Sequence, residues 1–450
     1  MDNIIAIRRE DDDKKAEKRT ALTPIYVNEL VDKGFNVLVQ PQISPKTKEL
    51  KRAFFDSEYE IAGAIITEDI SLAKIIFGIK EVDFEKILPN KVYVKFSHTH
   101  KGQKKNRQIL KSLVKNKSTL IDYELMTNDK KQRVITAFTY IAGHAGIIDS
   151  LSILGKRLRQ EGFENPFELI PQSIEKEDLD TLENIFRLVA QEIISNGTPK
   201  ELPPIITCIC GTGKTSIGAQ GTFDILPVQE IKINELEEIF KNGSRNIVYK
   251  LVLEVYDMYR LKSGIDDSEY KKLSDKEKID HYINNPNLYE SNLDKVLPYI
   301  TVLINCILWS DKYPRIVTRE LMKKVYKDHK TLKVIGDVSC DIEGGIEFSK
   351  DRWIDAPAFI YNPFTMEQLE DINEQGIVVM AVTNLPCEFS RDSSVAFNND
   401  LRPYIEHIIN ANYSESFEDI NLPQEIKNAV ILWNGEFTPN YKYMEEYTKG

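Results

Sequence analysis

Two residues able to move protons stand at equivalent points of neighbouring segments: Lys80 in Gly78-Ile79-Lys80-Glu81, and His98 in Phe96-Ser97-His98-Thr99-His100-Lys101. Apolar runs precede both, Ile75-Ile76-Phe77 and Val92-Tyr93-Val94. Each residue is therefore expected to end a buried parallel strand and to reach the carboxyl-end edge of one sheet, where open α/β sheets bind ligands. An amine of lowered pKa beside an imidazole suits proton transfer near neutrality, as the condensation of an amine with a ketone requires. Alone, either residue reads as a capped strand end with a surface cation; the pairing and the flanks carry the chemistry.

The elements that would position them repeat a strand and a helix. Strand-like runs at 4–7, 37–39, 75–79 and 92–96 alternate with amphipathic stretches, and the first helix has Thr23 as cap, Pro24 at its first position and Gly34 beyond its last turn. After Gly143-His144-Ala145-Gly146, the residues Ile147, Leu151, Leu154 and Leu158 fall near helical spacing and are expected to carry the chain out of the first domain. His144 is expected to lie exposed at that helix start, with an added active-site base as the alternative. A second helix, over about 176–194, ends at Asn196-Gly197-Thr198-Pro199 and feeds a strand at 205–210. Apolar runs at 299–304, 333–338 and 377–382 continue a second sheet, and a helical pattern over 391–409 returns the chain to the first. The fold class is α/β, with two Rossmann-like domains of mostly parallel sheets and an active-site cleft between them. The substrate domain is expected over 1–145, made discontinuous and completed by 395–450. A dinucleotide-binding domain is expected over 146–394, with a polar insertion near 263–293.

Gly211-Thr212-Gly213 follows the 205–210 strand and opens a helical stretch, the setting in which backbone amides approach a pyrophosphate at a helix N-terminus. Ser216 occupies the third slot of the Gly-x-Gly-x-x-Gly pattern, with Gly218-Ala219 just after. A plain strand-to-helix turn is the other reading. The same loop reads Gly213-Lys214-Thr215, the tail of a P-loop, but the position five before Gly213 is Cys208, inside the strand. The loop is then too short to wrap a triphosphate, and an NTPase remains a rival to be tested by ATP hydrolysis and its loss in Lys214→Ala. The second strand of this domain is expected through 228–232, and its end decides the dinucleotide: Glu230 would contact a ribose 2′-hydroxyl and favour NAD, whereas Lys232 would meet a 2′-phosphate and favour NADP.

A chain of 450 residues with 42% hydrophobic content can bury two cores. Its 59 basic against 70 acidic residues give a net charge of -11, which opposes a nucleic-acid partner. Cys208, Cys210, Cys306 and Cys340 sit in apolar runs as small hydrophobes, which implies a reducing compartment and no metal centre. No apolar run is read as membrane-spanning. The run at 4–7 leaves no room for a signal or transit peptide, so the expected location is the cytoplasm, or the mitochondrial matrix if a transit peptide has been removed.

Taken with Arg8-Arg9-Glu10 and Arg19-Thr20-Ala21-Leu22-Thr23-Pro24, the Lys80 and His98 segments resemble the lysine/2-oxoglutarate reductase family, a relative of saccharopine dehydrogenases and alanine dehydrogenase. The similarity continues through Gly211-Thr212-Gly213, Asn305-Cys306-Ile307-Leu308-Trp309, Asp337-Val338-Ser339-Cys340-Asp341, Gly344-Gly345-Ile346-Glu347-Phe348, Asn384-Leu385-Pro386, Asn434-Gly435 and Tyr441-Lys442-Tyr443. The resemblance implies condensation of the ε-amine of L-lysine with the ketone of 2-oxoglutarate, then reduction of the imine to saccharopine. It assigns proton transfers to Lys80 and His98, with Glu81 and Glu124 adjusting that pair. Arg8, Arg19, Lys101 and Arg133 are the candidate cations for substrate carboxylates. Cofactor contacts are expected from Gly211, Thr212, Gly213, Lys232, Cys306, Ile307, Asp337, Asn384 and Leu385. The family generally uses NADPH, which favours Lys232 over Glu230, with NADH as the alternative. Thr383 stands where relatives commonly carry an acid before Asn/His-Leu-Pro, which leaves open a shifted cofactor preference or a non-catalytic member. The same chemistry run toward lysine with NAD is a further alternative, and alanine dehydrogenase is the relative to exclude with pyruvate and ammonia. In animals and plants this reductase is usually fused to a saccharopine-oxidising enzyme; the chain is expected to stop where that fusion would begin, with room for association with a separate one.

Overall fold

The computed structural model describes residues 3–176, 178–371 and 373–449. Six strands open the chain: β1 (Ile4–Ile7), β2 (Asn36–Val39), β3 (Ile65–Ile66), β4 (Ile75–Phe77), β5 (Val92–Lys95) and β6 (Thr119–Asp122). The middle of the chain supplies β7 (Ile206–Cys210), β8 (Val228–Ile231), β9 (Val248–Leu253), β10 (Tyr259–Leu261), β11 (Tyr289–Ser291) and β12 (Val302–Asn305). It continues with β13 (Val334–Asp337), β14 (Ala358–Tyr361), β15 (Gln368–Leu369) and β16 (Ile377–Met380). The last two strands are β17 (Val430–Trp433) and β18 (Glu436–Phe437).

The first sheet runs β18-β17-β6-β5-β4-β1-β2-β3, parallel from β3 to β6 and antiparallel where β17 joins β6. Its inner strands are mostly apolar because both faces are covered. Ile5, Ile7, Phe77, Val94 and Ile121 enter one core with Phe397, Leu401 and Ile405 of the helix Ser390–Ile409, while Ala6, Ile76, Tyr93 and Leu120 enter a second core with Leu110 and Leu113. This alternation is the two-residue period of a strand read across two buried faces.

The second sheet runs β15-β14-β16-β13-β12-β7-β9-β8. The parallel order reverses direction between β7 and β12, a topological switch point of the kind that opens a crevice at the carboxyl ends of strands. The expected polar excursion holds the two-stranded ribbon β10-β11 at its base and the helix Asp275–Asn284, whose Ser274 cap accepts from Glu277 N.

The chain divides into two compact units, 1–138 with 390–450, and 139–389. The sequence reading set the crossings at 145 and 394. Neither crossing has a loop to mark it: the first lies inside the helix Ala137–Gln160, the second at the first residue of the helix Ser390–Ile409. Ala137–Gln160 also corrects the expectation of no membrane-length run. Among the described residues it is the one helix long and apolar enough to cross a bilayer, and 78% of its apolar stretch is buried, as in a core helix.

Candidate active site

β4 and β5 pair in parallel register with Phe77 opposite Val94. Beyond their ends the two chains stay bonded, Gly78 N to Val94 O at 3.1 Å and Phe96 N to Ile79 O at 2.9 Å. Lys80 and His98 thus leave adjacent strands at one edge. His98 adopts φ 50° and ψ 14°, a left-handed conformation that costs a non-glycine residue about 1–2 kcal/mol. In that conformation its Nδ1 lies 2.5 Å from Glu81 Oε1, and the other Glu81 oxygen lies 3.2 Å from the Lys14 ammonium. Burial pushes the Glu81 carboxyl up, but the hydrogen bond and charge of His98 and the Lys14 ammonium outweigh it and hold the group well below the usual carboxylate range. An ionised carboxylate only accepts, so in the neutral ring Nδ1 carries the proton and Nε2 is the basic nitrogen.

Nε2 of His98 faces Glu124, 4.0 Å from Oε2. Glu124 gathers two cations and an imidazole: Lys101 Nζ at 3.1 Å and His100 Nε2 at 3.7 Å from Oε2, and Arg133 Nη2 at 3.0 Å from Oε1. Buried Asp122 ties this turn to the His98 loop, accepting from Glu124 N at 2.9 Å, Ser97 N at 3.0 Å and Ser97 Oγ at 2.6 Å. Burial raises the Asp122 carboxyl, but His100, 3.8 Å away, and hydrogen bonds from Ser97 and the Glu124 N–H outweigh it and keep the group below its ordinary value.

Lys80 makes no ion pair among the described residues. Its backbone N–H and that of Ile79 are held by buried Glu10, at 3.0 and 2.7 Å. Glu10 in turn lies 3.7 Å from Arg8 Nη1, and Arg8 Nη2 meets Asp11 at 2.9 Å. Arg8 Nη1 has no hydrogen-bond acceptor. Arg19 is bidentate to Glu17, at 2.7 and 2.5 Å, and lies over the Phe138 ring at 4.1 Å. Of the four cations expected at substrate carboxylates, Lys101 and Arg133 therefore share Glu124, whereas Arg8 and Arg19 lie buried against acids of their own segment. Sequence reasoning did not single out Lys14, His100 or Asp122 for this cluster, nor Lys95. Lys95 ends β5 fully buried, its amine without a partner and 4.9 Å from the Tyr93 ring centre. Burial and the nearby Arg8 charge push that ammonium far below its ordinary value. A lysine inside a buried run, before Phe96, was the available signal.

In the second unit, Gly211 leaves β7 with φ 95°, a conformation that favours glycine, and a helix begins at Lys214. A Cβ on Gly213 would meet open space, so the backbone amides of this helix start are approachable. Close packing beneath the loop falls to Gly218 rather than Ser216: a Cβ on Gly218 would lie 2.1 Å from Tyr140 O, and one on Gly143 1.9 Å from Thr215 O. Cys306 and Ile307 follow β12, with Cys306 N bonded to Cys210 O at 3.1 Å and Ile307 Cγ1 3.2 Å from where a Gly211 Cβ would stand. Asp337 ends β13, accepts Asn305 Nδ2 at 2.8 Å and leaves Oδ2 unpartnered; burial pushes its carboxyl up to about 6. Asn384 and Leu385 come after β16, with Asn384 Nδ2 2.8 Å from Cys387 Sγ and Leu385 buried.

Three expectations need correction. The strand beside β7 is β9, which the sequence reading passed over, and β8 lies at the sheet edge. Lys232 follows that edge strand, exposed, and Glu230 is 3.2 Å from Lys250. The residue that follows the strand next to the glycine turn is Glu254: Gly211 N bonds Leu253 O at 2.9 Å, and Thr212 Oγ1 donates to Glu254 Oε2 at 3.2 Å. Second, the change to Thr383 does not leave that position without a carboxylate neighbour, since Thr383 Oγ1 donates to Asp351 Oδ1 at 2.9 Å. Third, His144 is neither exposed nor at the helix start. It is buried two turns in, with Nδ1 2.6 Å from Thr222 Oγ1, and burial holds its pKa near 4. Among the described residues no three His, Cys, Asp or Glu side chains are grouped to hold a metal, and the five cysteines are free.

The family model described as alanine dehydrogenase/PNT, N-terminal domain, matches residues 6–145, and its C-terminal domain partner matches residues 260–440. The alpha-aminoadipic semialdehyde synthase of Arabidopsis thaliana is 33% identical over 97% of this chain, and the chain covers 41% of that protein, less than half its length. The saccharopine dehydrogenase [NAD(+), L-lysine-forming] of Neurospora crassa is 26% identical, with 87% of each protein covered. A solved L-alanine dehydrogenase superposes with a TM-score of 0.61 at 16% identity, covering 99% of this chain and 100% of that one. With both domain models matched in order and the fold shared end to end, the chain belongs to the alanine dehydrogenase/PNT family.

Proposed function

We propose that this protein is a saccharopine-forming reductase, which condenses the ε-amine of L-lysine with the ketone of 2-oxoglutarate and reduces the resulting imine. The observation that carries the reading is the Glu81–His98 contact of 2.5 Å beside Lys80, at the carboxyl-end edge of the first sheet. With Nδ1 fixed as donor to Glu81, Nε2 of His98 takes the proton that the lysine ammonium must lose before its nitrogen attacks the ketone. Lys80, held by its backbone to Glu10 and free of carboxylate partners among the described residues, presents an N–H to the carbinolamine oxygen as it departs as water. Lys101 and Arg133 stand beside this pair, and a substrate carboxylate would compete with Glu124 for them.

The glycine turn Gly211–Gly213, the helix start at Lys214, and Cys306 and Ile307 fit a nicotinamide dinucleotide, which supplies the hydride when bound. NADPH is what the resemblance implies for the donor. The test is direct: consumption of reduced nicotinamide followed by absorbance with L-lysine and 2-oxoglutarate, and separately with pyruvate and ammonia. Turnover with the first pair alone supports the reading. Turnover with pyruvate and ammonia instead would make the chain an alanine dehydrogenase, and turnover with neither would make it a non-catalytic member.

A further inference from the structure

A dinucleotide on a doubly wound sheet places its adenosine ribose at the end of the strand beside the glycine turn, where a carboxylate accepts from the 2′- and 3′-hydroxyls and a cation instead meets a 2′-phosphate. In this sheet the strand in that position is β9, not β8, because β9 pairs with the whole of β7, Ile206 opposite Tyr249 through to Cys210 opposite Leu253. The residue that follows is Glu254. Its side chain is half-buried and its Oε2 accepts from Thr212 in the middle of the glycine turn, at 3.2 Å. Its backbone N–H is capped by Asp257 Oδ2 at 3.0 Å, so a second carboxylate stands one turn further on. Burial and the charges of Glu254 and Asp275 raise the Asp257 carboxyl, against the hydrogen bond from the Glu254 N–H and the charge of Lys278. Lys232, the cation that would favour a phosphate, belongs to the strand beyond, and Lys250 of β9 is taken by Asp224 at 2.8 Å and Glu230 at 3.2 Å.

We infer that Glu254 selects the unphosphorylated dinucleotide, so that the protein uses NADH in preference to NADPH. The inference rests on the dinucleotide-binding reading above and reverses the cofactor that the family resemblance implies. A 2′-phosphate carries close to two negative charges at neutral pH and would lie beside an ionised carboxylate in a partly desolvated site, a repulsion absent for a ribose hydroxyl. Replacing Glu254 removes the charged acceptor of NADH's ribose hydroxyls and, for NADPH, the repulsion of its 2′-phosphate.

The experiment is a titration of the full-length protein with NADH and with NADPH, reading enhancement of nicotinamide fluorescence, without lysine or 2-oxoglutarate. The parent should bind NADH roughly tenfold or more tightly than NADPH. Glu254→Gln should bring the two dissociation constants to within about threefold, and Glu254→Lys should invert their order. Lys232→Ala should leave both constants unchanged. The inference is overturned if NADPH binds as tightly as NADH, or if Lys232→Ala weakens NADPH while Glu254→Gln moves neither constant. If neither dinucleotide binds, the cofactor assignment of the proposed function fails as well, so the two failures are distinguishable.

Discussion

Replacing Glu81 by glutamine tests the core of the catalytic reading with little change of shape. The amide oxygen can still receive the Nδ1 proton of His98, but it carries no charge, and its NH2 face can hold the ring in the opposite tautomer. A hydrogen bond to a charged group contributes about 1.5–3 kcal/mol, and the contact here is short at 2.5 Å. If that stabilisation belongs to the proton-transfer step, kcat/KM for lysine should fall roughly 10- to 150-fold. Glu81→Asp, which keeps the charge and shortens the reach, should fall less. The same variant has a stability signature. Because the folded-state carboxyl is held below its ordinary value, its contribution is present above about pH 4.5 and is lost as the pH falls through the folded value. The difference in urea unfolding free energy between parent and Glu81→Gln should therefore narrow on acidification below that point. A glutamine variant with kcat/KM within twofold of the parent would show that His98 needs no carboxylate partner and would refute the assignment.

Two further substitutions probe buried charge. Glu388 lies buried with both carboxyl oxygens unbonded, and burial and the adjoining Asp149 raise its carboxyl well above 4.5. The folded state then holds a proton that the unfolded chain releases, so this contribution is complete below about pH 4.5 and disappears as pH rises through the folded value, with a slope of about 1.4 kcal/mol per pH unit per proton. Glu388→Gln should flatten that slope in urea titrations between pH 5 and 8, and an unchanged slope would count against a proton held by Glu388 in the folded state. Lys95→Met should raise stability at neutral pH by about 1–3 kcal/mol, measured by the same titrations, because it removes a buried amine that no acceptor satisfies. In the parent the unfolded chain binds the proton that folded Lys95 gives up, so stability should climb with pH toward 10.5, and the methionine variant should lose that rise.

Much of the first unit was legible because its strands are short apolar runs flanked by turn residues, and β1, β4 and β5 carry that signal without interruption. β9 was not read, since Lys250 breaks an otherwise apolar run; the structure buries it by pairing it with Asp224 and Glu230, which lie 26 and 20 positions away in the chain. Strand order is a different matter. β8 carries exposed Gln229 and Glu230 and β9 is almost wholly buried, the contrast of an edge strand with an inner one, but it orders them only once both are recognised as strands. The strand beside β7 is therefore followed by Glu254 rather than by Lys232. Glu81, His98, Glu124, Lys101 and Arg133 were readable as a group through family motifs, but the multiple pairing of Glu124 needs three segments to converge. His144 was misplaced for the same reason, as its partner Thr222 lies 78 positions on.

The insertion of β17 between β18 and β6 also sets an order of assembly on the ribosome. The amino-terminal strands emerge first, yet β6 keeps a bare flank until residues 430–433 arrive, after the whole of the middle unit has been translated and can have folded. A nascent chain waiting in that state exposes backbone donors and acceptors of the kind that template pairing between molecules. The strands at residues 4–122 are thus synthesised well before the strand that completes their sheet.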